Sequence, residues 1–211
     1  MDKGVNLPHN SEEIRSFIAI ELPEEVKSGL DRLKGEMKET EYTFVKWVGS
    51  EGIHLTLKFL GNIPFKLVTE ATSAIKEASE GISPFHLELS GLGAFPNLKQ
   101  PRVVWVGIWG EVDKLLRLQQ NIDFALSPLG FAKEERPFVP HLTLARVRQG
   151  ASSIQIKNFG ELVASANFKM ALNLFQGSFE VGAISLMRSQ LTPKGAIYTR
   201  LSVTGLEVLK K

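Results

Sequence analysis

The sequence contains no cysteine. Disulfides, thiolate zinc sites and thiol nucleophiles are therefore excluded together. No apolar run approaches the roughly 20 residues that a membrane-spanning helix needs. The opening stretch, Met1 to Glu13, is polar and lacks the apolar centre of a signal peptide. These absences lead to the expectation of a cytoplasmic chain with no membrane contact. An excess of one charge is missing too, since 25 basic and 23 acidic residues leave a net charge of +2. Such balance does not suit a protein that holds long nucleic acid mainly by its phosphates. It permits recognition of one end, through one phosphate and a base or two. Histidine is scarce, with four in the chain. His9, His54, His86 and His141 stand singly, with no spacing suited to metal ligation, so no metal is expected. Walker loops and dinucleotide fingerprints are absent, and no cofactor is expected.

What is present is an ordinary globular composition, 43% apolar and 23% charged over 211 residues, enough for one domain or two small lobes sharing a core. The expected organisation is a polar leader over residues 1–14 and a single catalytic domain over 15–211, monomeric by default. Phe17 to Leu22 is a buried-strand pattern ended by Pro23. Glu24 to Lys38 reads as an amphipathic helix, with Val26, Leu30, Leu33 and Met37 at helical spacing and two acids at its start. Val45 to Val48 and Ile53 to Leu60 read as strands, the second broken by Gly61-Asn62, with a helix from Lys66 to Ala78. Phe85 to Leu92 and Arg102 to Trp109 form an expected hairpin, followed by a helix over Val112 to Leu126. Phe138 to Val147 is a strand entered through Pro140, and a weaker helix lies between Ile156 and Ala164. Ser178 to Met187 and Ala196 to Val203 close the chain as another hairpin.

This order repeats. His54 and His141 differ by 87 in position, and a shift of that size also lays Phe17-Ile18-Ala19-Ile20 on Val104-Trp105-Val106-Gly107. Both segments are strand-like and both precede a helix. Two copies are too few for a solenoid. They suit a bilobed α+β protein, with pseudo-two-fold duplicated antiparallel sheets, helices on the outer faces and a central groove.

Both copies read His-Leu-Thr-Leu. Side chains alternate along a strand, so His54 shares a face with Thr56, and His141 with Thr143, while the leucines take the other face. Two such faces brought together supply two acid–base groups and two hydroxyl donors. An imidazole titrates near pH 6.5, so one ring can accept a proton from water while the other gives one to a leaving alkoxide. The hydroxyls can hold the non-bridging oxygens on which phosphoryl charge sits. A cyclic phosphodiester fits this apparatus because ring strain assists the leaving group. The two reactive nitrogens must then flank one phosphate, about 5–7 Å apart, the span of two hydrogen bonds across a phosphoryl group.

The stretch Phe44 to Gly61, with His54-Leu55-Thr56-Leu57-Lys58-Phe59, resembles the first motif of the two-histidine phosphoesterase superfamily. Arg136-Pro137-Phe138-Val139-Pro140-His141-Leu142-Thr143-Leu144-Ala145-Arg146 resembles the second. Within the superfamily the match is to the RNA 2′,3′-cyclic phosphodiesterases, formerly called 2′-5′ RNA ligases. Phe17 to Pro23, Gly91 to Pro96 and Leu129-Gly130-Phe131 fit as well. The resemblance implies metal-independent, ATP-independent hydrolysis of RNA ending in a 2′,3′-cyclic phosphate, leaving a 2′-phosphate. By it, His54 and His141 are the catalytic pair and Thr56 and Thr143 bind phosphate. Arg146 is implied to lie at the nucleotide end of the site. Alternation from His141 puts Arg146 on the leucine face, so that role requires the strand to bend or end there. Phe17 is a base-stacking residue by the same resemblance, while its pattern fits plain core equally well.

The expected partner is an RNA 3′ end carrying the cyclic phosphate, with tRNA fragments and small cyclic nucleotides both open. Two alternatives accompany hydrolysis: the reverse reaction, joining ends through a 2′-5′ bond, and non-catalytic binding of RNA ends. Which histidine is base and which acid is left open. Lys58 shares a face with His54 by alternation and could attract phosphate or be simply solvated. His86 falls on the open face of its strand, Glu134-Glu135-Arg136 reads as a solvated loop, and Trp47 and Trp105 read as core.

Overall fold

The computed structural model describes residues 12–38, 42–172, 177–193 and 195–207. His9 and most of the expected leader lie outside the described residues. Among the described residues, nine strands and four helices follow in the order β1 (Glu13–Glu21), α1 (Glu24–Met37), β2 (Val45–Trp47), β3 (His54–Pro64), α2 (Leu67–Ser79), β4 (Phe85–Phe95) and β5 (Val103–Gly110). Then come α3 (Val112–Leu126), β6 (His141–Val147), α4 (Ser153–Leu172), β7 (Ser178–Val181), β8 (Ala183–Thr192) and β9 (Gly195–Gly205).

The helices form where the apolar spacing requires them. In α1, Val26, Leu30, Leu33 and Met37 make the buried stripe, and Glu24 and Glu25 stand in the first turn, where the helix dipole favours them. In α3 the stripe is Leu115, Leu118, Ile122 and Leu126. Their buried faces join Leu55, Leu57, Leu142 and Leu144 in one large core on the helix side of the sheet. Among the described residues no helix is long and apolar enough to cross a membrane.

The strands pair antiparallel in the order β7-β4-β5-β6-β3-β1-β8-β9, with β2 also on β6. The fold is α+β, and its duplicated halves are joined into one curled sheet where β3 meets β6 at Leu55 opposite Leu142 and where β2 pairs with β6. The shift of 87 holds in space: β3 answers β6, β1 answers β5, α1 answers α3 and α2 answers α4.

Several boundaries differ from the sequence reading. β1 begins at Glu13, and Ile14 is buried, because the leader's last residues still pair with Ile63 and Pro64. β3 runs through Gly61-Asn62 to Pro64, since the positive φ of Gly61 (73°) accommodates a local irregularity without ending the pairing. The expected strand over Ser178 to Met187 is two strands split at Gly182. β7 pairs with β4 in one half, and β8 pairs with β1 and β9 in the other.

One irregularity is itself duplicated. Ile18 pairs with Lys58 and Ala19 with Thr56, so Leu57 is an extra residue in β3. Val104 pairs with Ala145 and Trp105 with Thr143, so Leu144 is the extra residue in β6. Each bulge puts two consecutive side chains on the core side, Leu57 with Lys58 and Leu144 with Ala145. The next residues, Phe59 and Arg146, return to the open face.

Candidate active site

β3 and β6 lie side by side where their motifs begin. From the pairing of Leu55 with Leu142, antiparallel register sets Thr143 opposite His54 and Thr56 opposite His141. The four polar side chains therefore share the face that the leucines leave, as a rectangle with a histidine and a threonine at alternating corners. The two histidines are diagonal neighbours, a relation that sheet geometry sets at about 7–8 Å between backbones. All four residues are half-buried.

Each imidazole is seated in the same way. His141 Nδ1–H donates to the Val139 carbonyl at 2.8 Å, and the His54 ring bonds the backbone of Gly52, the residue at the matching offset. For His141 this holds Nδ1 protonated and leaves the Nε2 lone pair for the groove. Aromatic rings flank both. Phe17 stacks on His54 at 4.6 Å between centroids, and Tyr198 meets it edge-on at 5.1 Å. Phe95 meets His141 edge-on at 5.0 Å, and Trp105 lies tilted at 6.2 Å.

This packing sets the electrostatics. Burial drives the His54 pKa down to about 4, because a charged ring is costly to desolvate. The Gly52 hydrogen bond and the Glu21 carboxylate oppose that shift, while Arg146 adds to it. Burial also lowers His141, opposed by the Val139 carbonyl and helped by Arg146. Both rings are thus neutral at pH 7 before an anion enters. Glu21, paired with His54 across β1 and β3, is held by Arg200 through two hydrogen bonds of 2.8 Å and by the Ser185 hydroxyl. The Arg200 hydrogen bonds keep its carboxyl below the usual carboxylate range.

Lys58 departs from the sequence reading, and Phe17 takes its core alternative. Lys58 is not on the groove face; the bulge at Leu57 turns it into the core, where Nζ donates to Asp123 Oδ1 at 2.5 Å and to the Ala132 carbonyl at 2.8 Å. Phe17 does face the groove side, but it is 3% exposed in a small cluster with Ala19 and Met187. With one ring face against His54 it has no open surface for a base, so it backs the imidazole instead. Arg146 is exposed on the groove face, and the bulge at Leu144 supplies the change of phase that alternation alone did not allow. His86 is exposed, 3.9 Å from Glu180 and remote from the rectangle in strand order. Trp105, read as core, sits against His141.

Phe59 is a residue that sequence reasoning missed. It is 61% exposed, and it is the counterpart of Arg146 under the shift of 87. Applying that shift beyond the His-x-Thr motif would have found it. Beside it, residues Gly130 to Arg136 and Lys58 to Leu60 line an open cavity of about 620 Å³. Tyr198 and Phe95 carry no comparable sequence signal, because strand order alone brings them to the histidines. Among the described residues, no three His, Cys, Asp or Glu side chains gather.

A duplicated antiparallel sheet bearing one His-x-Thr strand per half, with the histidines diagonal across the join, is the framework of a two-histidine phosphoesterase. The family model described as LigT like Phosphoesterase matches residues 20–105 and 108–198, and the chain belongs to that family. A protein of Methanothermobacter thermautotrophicus named RNA 2′,3′-cyclic phosphodiesterase is 33% identical over 190 residues, covering 90% of this chain and 97% of its own. One of the same name from Aeropyrum pernix is 37% identical over 172 residues, covering 82% and 92%. The crystal structure of the Thermus thermophilus protein TT0787 superposes with a TM-score of 0.71 at 28% identity, covering 92% of this chain and 98% of that one.

Proposed function

We propose that this protein hydrolyses RNA 2′,3′-cyclic phosphate ends to 2′-phosphates by metal-independent acid–base catalysis at His54 and His141. The single observation that carries the proposal is the diagonal pairing of the two histidines, each beside a threonine, on one face of the sheet. The names of the relatives support the same substrate class.

In this mechanism the phosphodiester anion seats between the diagonals, its non-bridging oxygens accepting from the Thr56 and Thr143 hydroxyls. Its negative charge raises the depressed pKa of the nearby imidazoles, so one proton enters with the substrate. His54, with the deeper seat, stays neutral and is the base; His141 is the acid. His54 Nε2 takes a proton from water as the oxygen attacks phosphorus. The bond from phosphorus to the 3′ oxygen breaks, and His141 Nε2 protonates that oxygen, leaving a 2′-phosphate and a 3′-hydroxyl. Arg146 contributes positive charge at the nucleotide end, and the exposed ring of Phe59 offers a stacking surface on the same face.

The test is turnover of a short RNA with a 2′,3′-cyclic phosphate by chelator-treated protein, products being resolved as 2′- or 3′-phosphate. The expected product is the 2′-phosphate, with His54→Ala and His141→Ala each folded and inactive. Retained turnover in both single variants would refute the mechanism.

A further inference from the structure

The groove face does not end at the catalytic rectangle. Past the bulge in β6, alternation resumes with Arg146 outward and Val147 inward, and Arg148 follows outward, its N–H bonded to the Phe44 carbonyl at 2.8 Å. Across the ladder, Lys46 of β2 is the direct partner of Arg146, so their side chains share a face. All three are exposed. Among the described residues no ion pair engages any of them. Three cations on neighbouring strands, with no carboxylate paired to them among the described residues, repel one another, an arrangement suited to an anionic ligand. Arg146 itself lies on the groove face three residues past Thr143, and its positive charge also lowers the pKa of both His54 and His141.

The opposite end of the groove is different. The shift of 87 puts Phe59 where Arg146 stands, Gly61 where Arg148 stands and Lys133 where Lys46 stands. Lys133 lies over the Phe124 ring at 5.5 Å, and Glu134 and Glu135 follow it. Lys46, Arg146 and Arg148 thus gather on the β6–β2 side without an interleaved acid, while at the Phe59 end Lys133 and Arg136 flank Glu134 and Glu135.

We infer that Arg146, Lys46 and Arg148 form a phosphate rail for the RNA chain on the 5′ side of the cyclic end, so that the preferred substrate is an oligonucleotide of three or more residues rather than a cyclic mononucleotide. Arg146 and Arg148 stand about 7 Å apart along an extended chain, a repeat close to that of successive phosphates in a stretched RNA strand. The rail is short and local, which reconciles it with a nearly neutral chain. It rests on the cyclic-phosphodiesterase reading and adds the direction in which the RNA leaves the site.

The experiment compares wild type, Lys46→Ala, Arg148→Ala and the double variant on two substrates, 2′,3′-cyclic AMP and a single-stranded RNA hexamer ending in a 2′,3′-cyclic phosphate. Binding of the same hexamer bearing an ordinary 3′-phosphate is followed by fluorescence anisotropy. Three phosphate contacts predict a roughly twentyfold loss of hexamer affinity between 50 and 200 mM salt, and the one contact left in the double variant roughly threefold. Hexamer kcat/KM should fall stepwise in the variants while cyclic AMP turnover stays unchanged. Equal losses on both substrates, or a salt dependence identical in wild type and the double variant, would overturn the rail. If wild type turns over neither substrate, the catalytic reading fails, and the anisotropy arm still decides whether the rail binds RNA.

Discussion

Replacing His54 with glutamine should make the protein less sensitive to acid. The native ring titrates at about 4, pushed there by burial, against about 6.5 in an unfolded chain. A group whose pKa is depressed by folding contributes stability that is complete above the unfolded value and is lost as pH falls through the folded one. For His54 the window runs from about pH 6.5 down to about pH 4. The shift corresponds to roughly 3 kcal/mol of stability lost between pH 7 and pH 4. Glutamine keeps a polar side chain but has no proton to take up, so this loss vanishes while every other titrating group stays. Urea unfolding of wild type and His54→Gln at both pH values isolates the term as a difference of differences. Wild type should lose about 3 kcal/mol more than the variant on acidification, or about 1.5 M in urea midpoint for a slope near 2 kcal/mol per molar. Equal acid losses in the two proteins would mean that the imidazole is not held neutral by burial, and the assignment of His54 as base would lose its footing.

The same shifts bear on catalysis. Since kcat/KM reports the free enzyme and the proposed mechanism needs one neutral and one protonated ring, its profile on a cyclic mononucleotide should be a bell with its maximum below about pH 6.5; a maximum above about pH 7 would contradict the seating described for the rings. Lys58→Met should cost about 3–5 kcal/mol in chemical denaturation, because it strands the Asp123 carboxylate of α3, and Lys58→Met with Asp123→Leu should recover most of that. If the single change is neutral, the buried pair is not holding β3 to α3. Gly160→Ala should destabilise by about 1–3 kcal/mol, since an added Cβ would sit 1.9 Å from the Leu98 carbonyl oxygen where α4 crosses the β4–β5 loop; an unchanged melting temperature would refute that close approach.

Much of this was legible in the sequence because periodicity and repetition carry it. The shift of 87 located the equivalent strands, and alternation put His54 with Thr56 and His141 with Thr143. What alternation could not register was an extra residue. Leu57 and Leu144 leave no mark in an apolar pattern, yet each bulge reverses the face of everything after it. That is why alternation aims Lys58 at phosphate and turns Arg146 away, the reverse of where each one stands. Phe17 shows a different limit: its groove-side placement and its burial both follow from one strand, but only the stacking of a neighbouring ring removes its open face. Tyr198 depends on β8 and β9 joining β1, a pairing that the split at Gly182 hid within an apparently continuous strand.

The repeated bulge has a consequence for how such a site can change. It acts as a seam between two kinds of position. On the inner side lie the histidines and threonines, which the two-fold relation keeps as matched copies. On the outer side, Phe59 and Arg146 share an ancestry of position and nothing of character, and Gly61 and Arg148 diverge as far. On the proposed reading, chemistry sits inside the seam and orientation outside it. A molecule with a head and a tail can therefore be turned to one sense by residues that never touch the bond being broken.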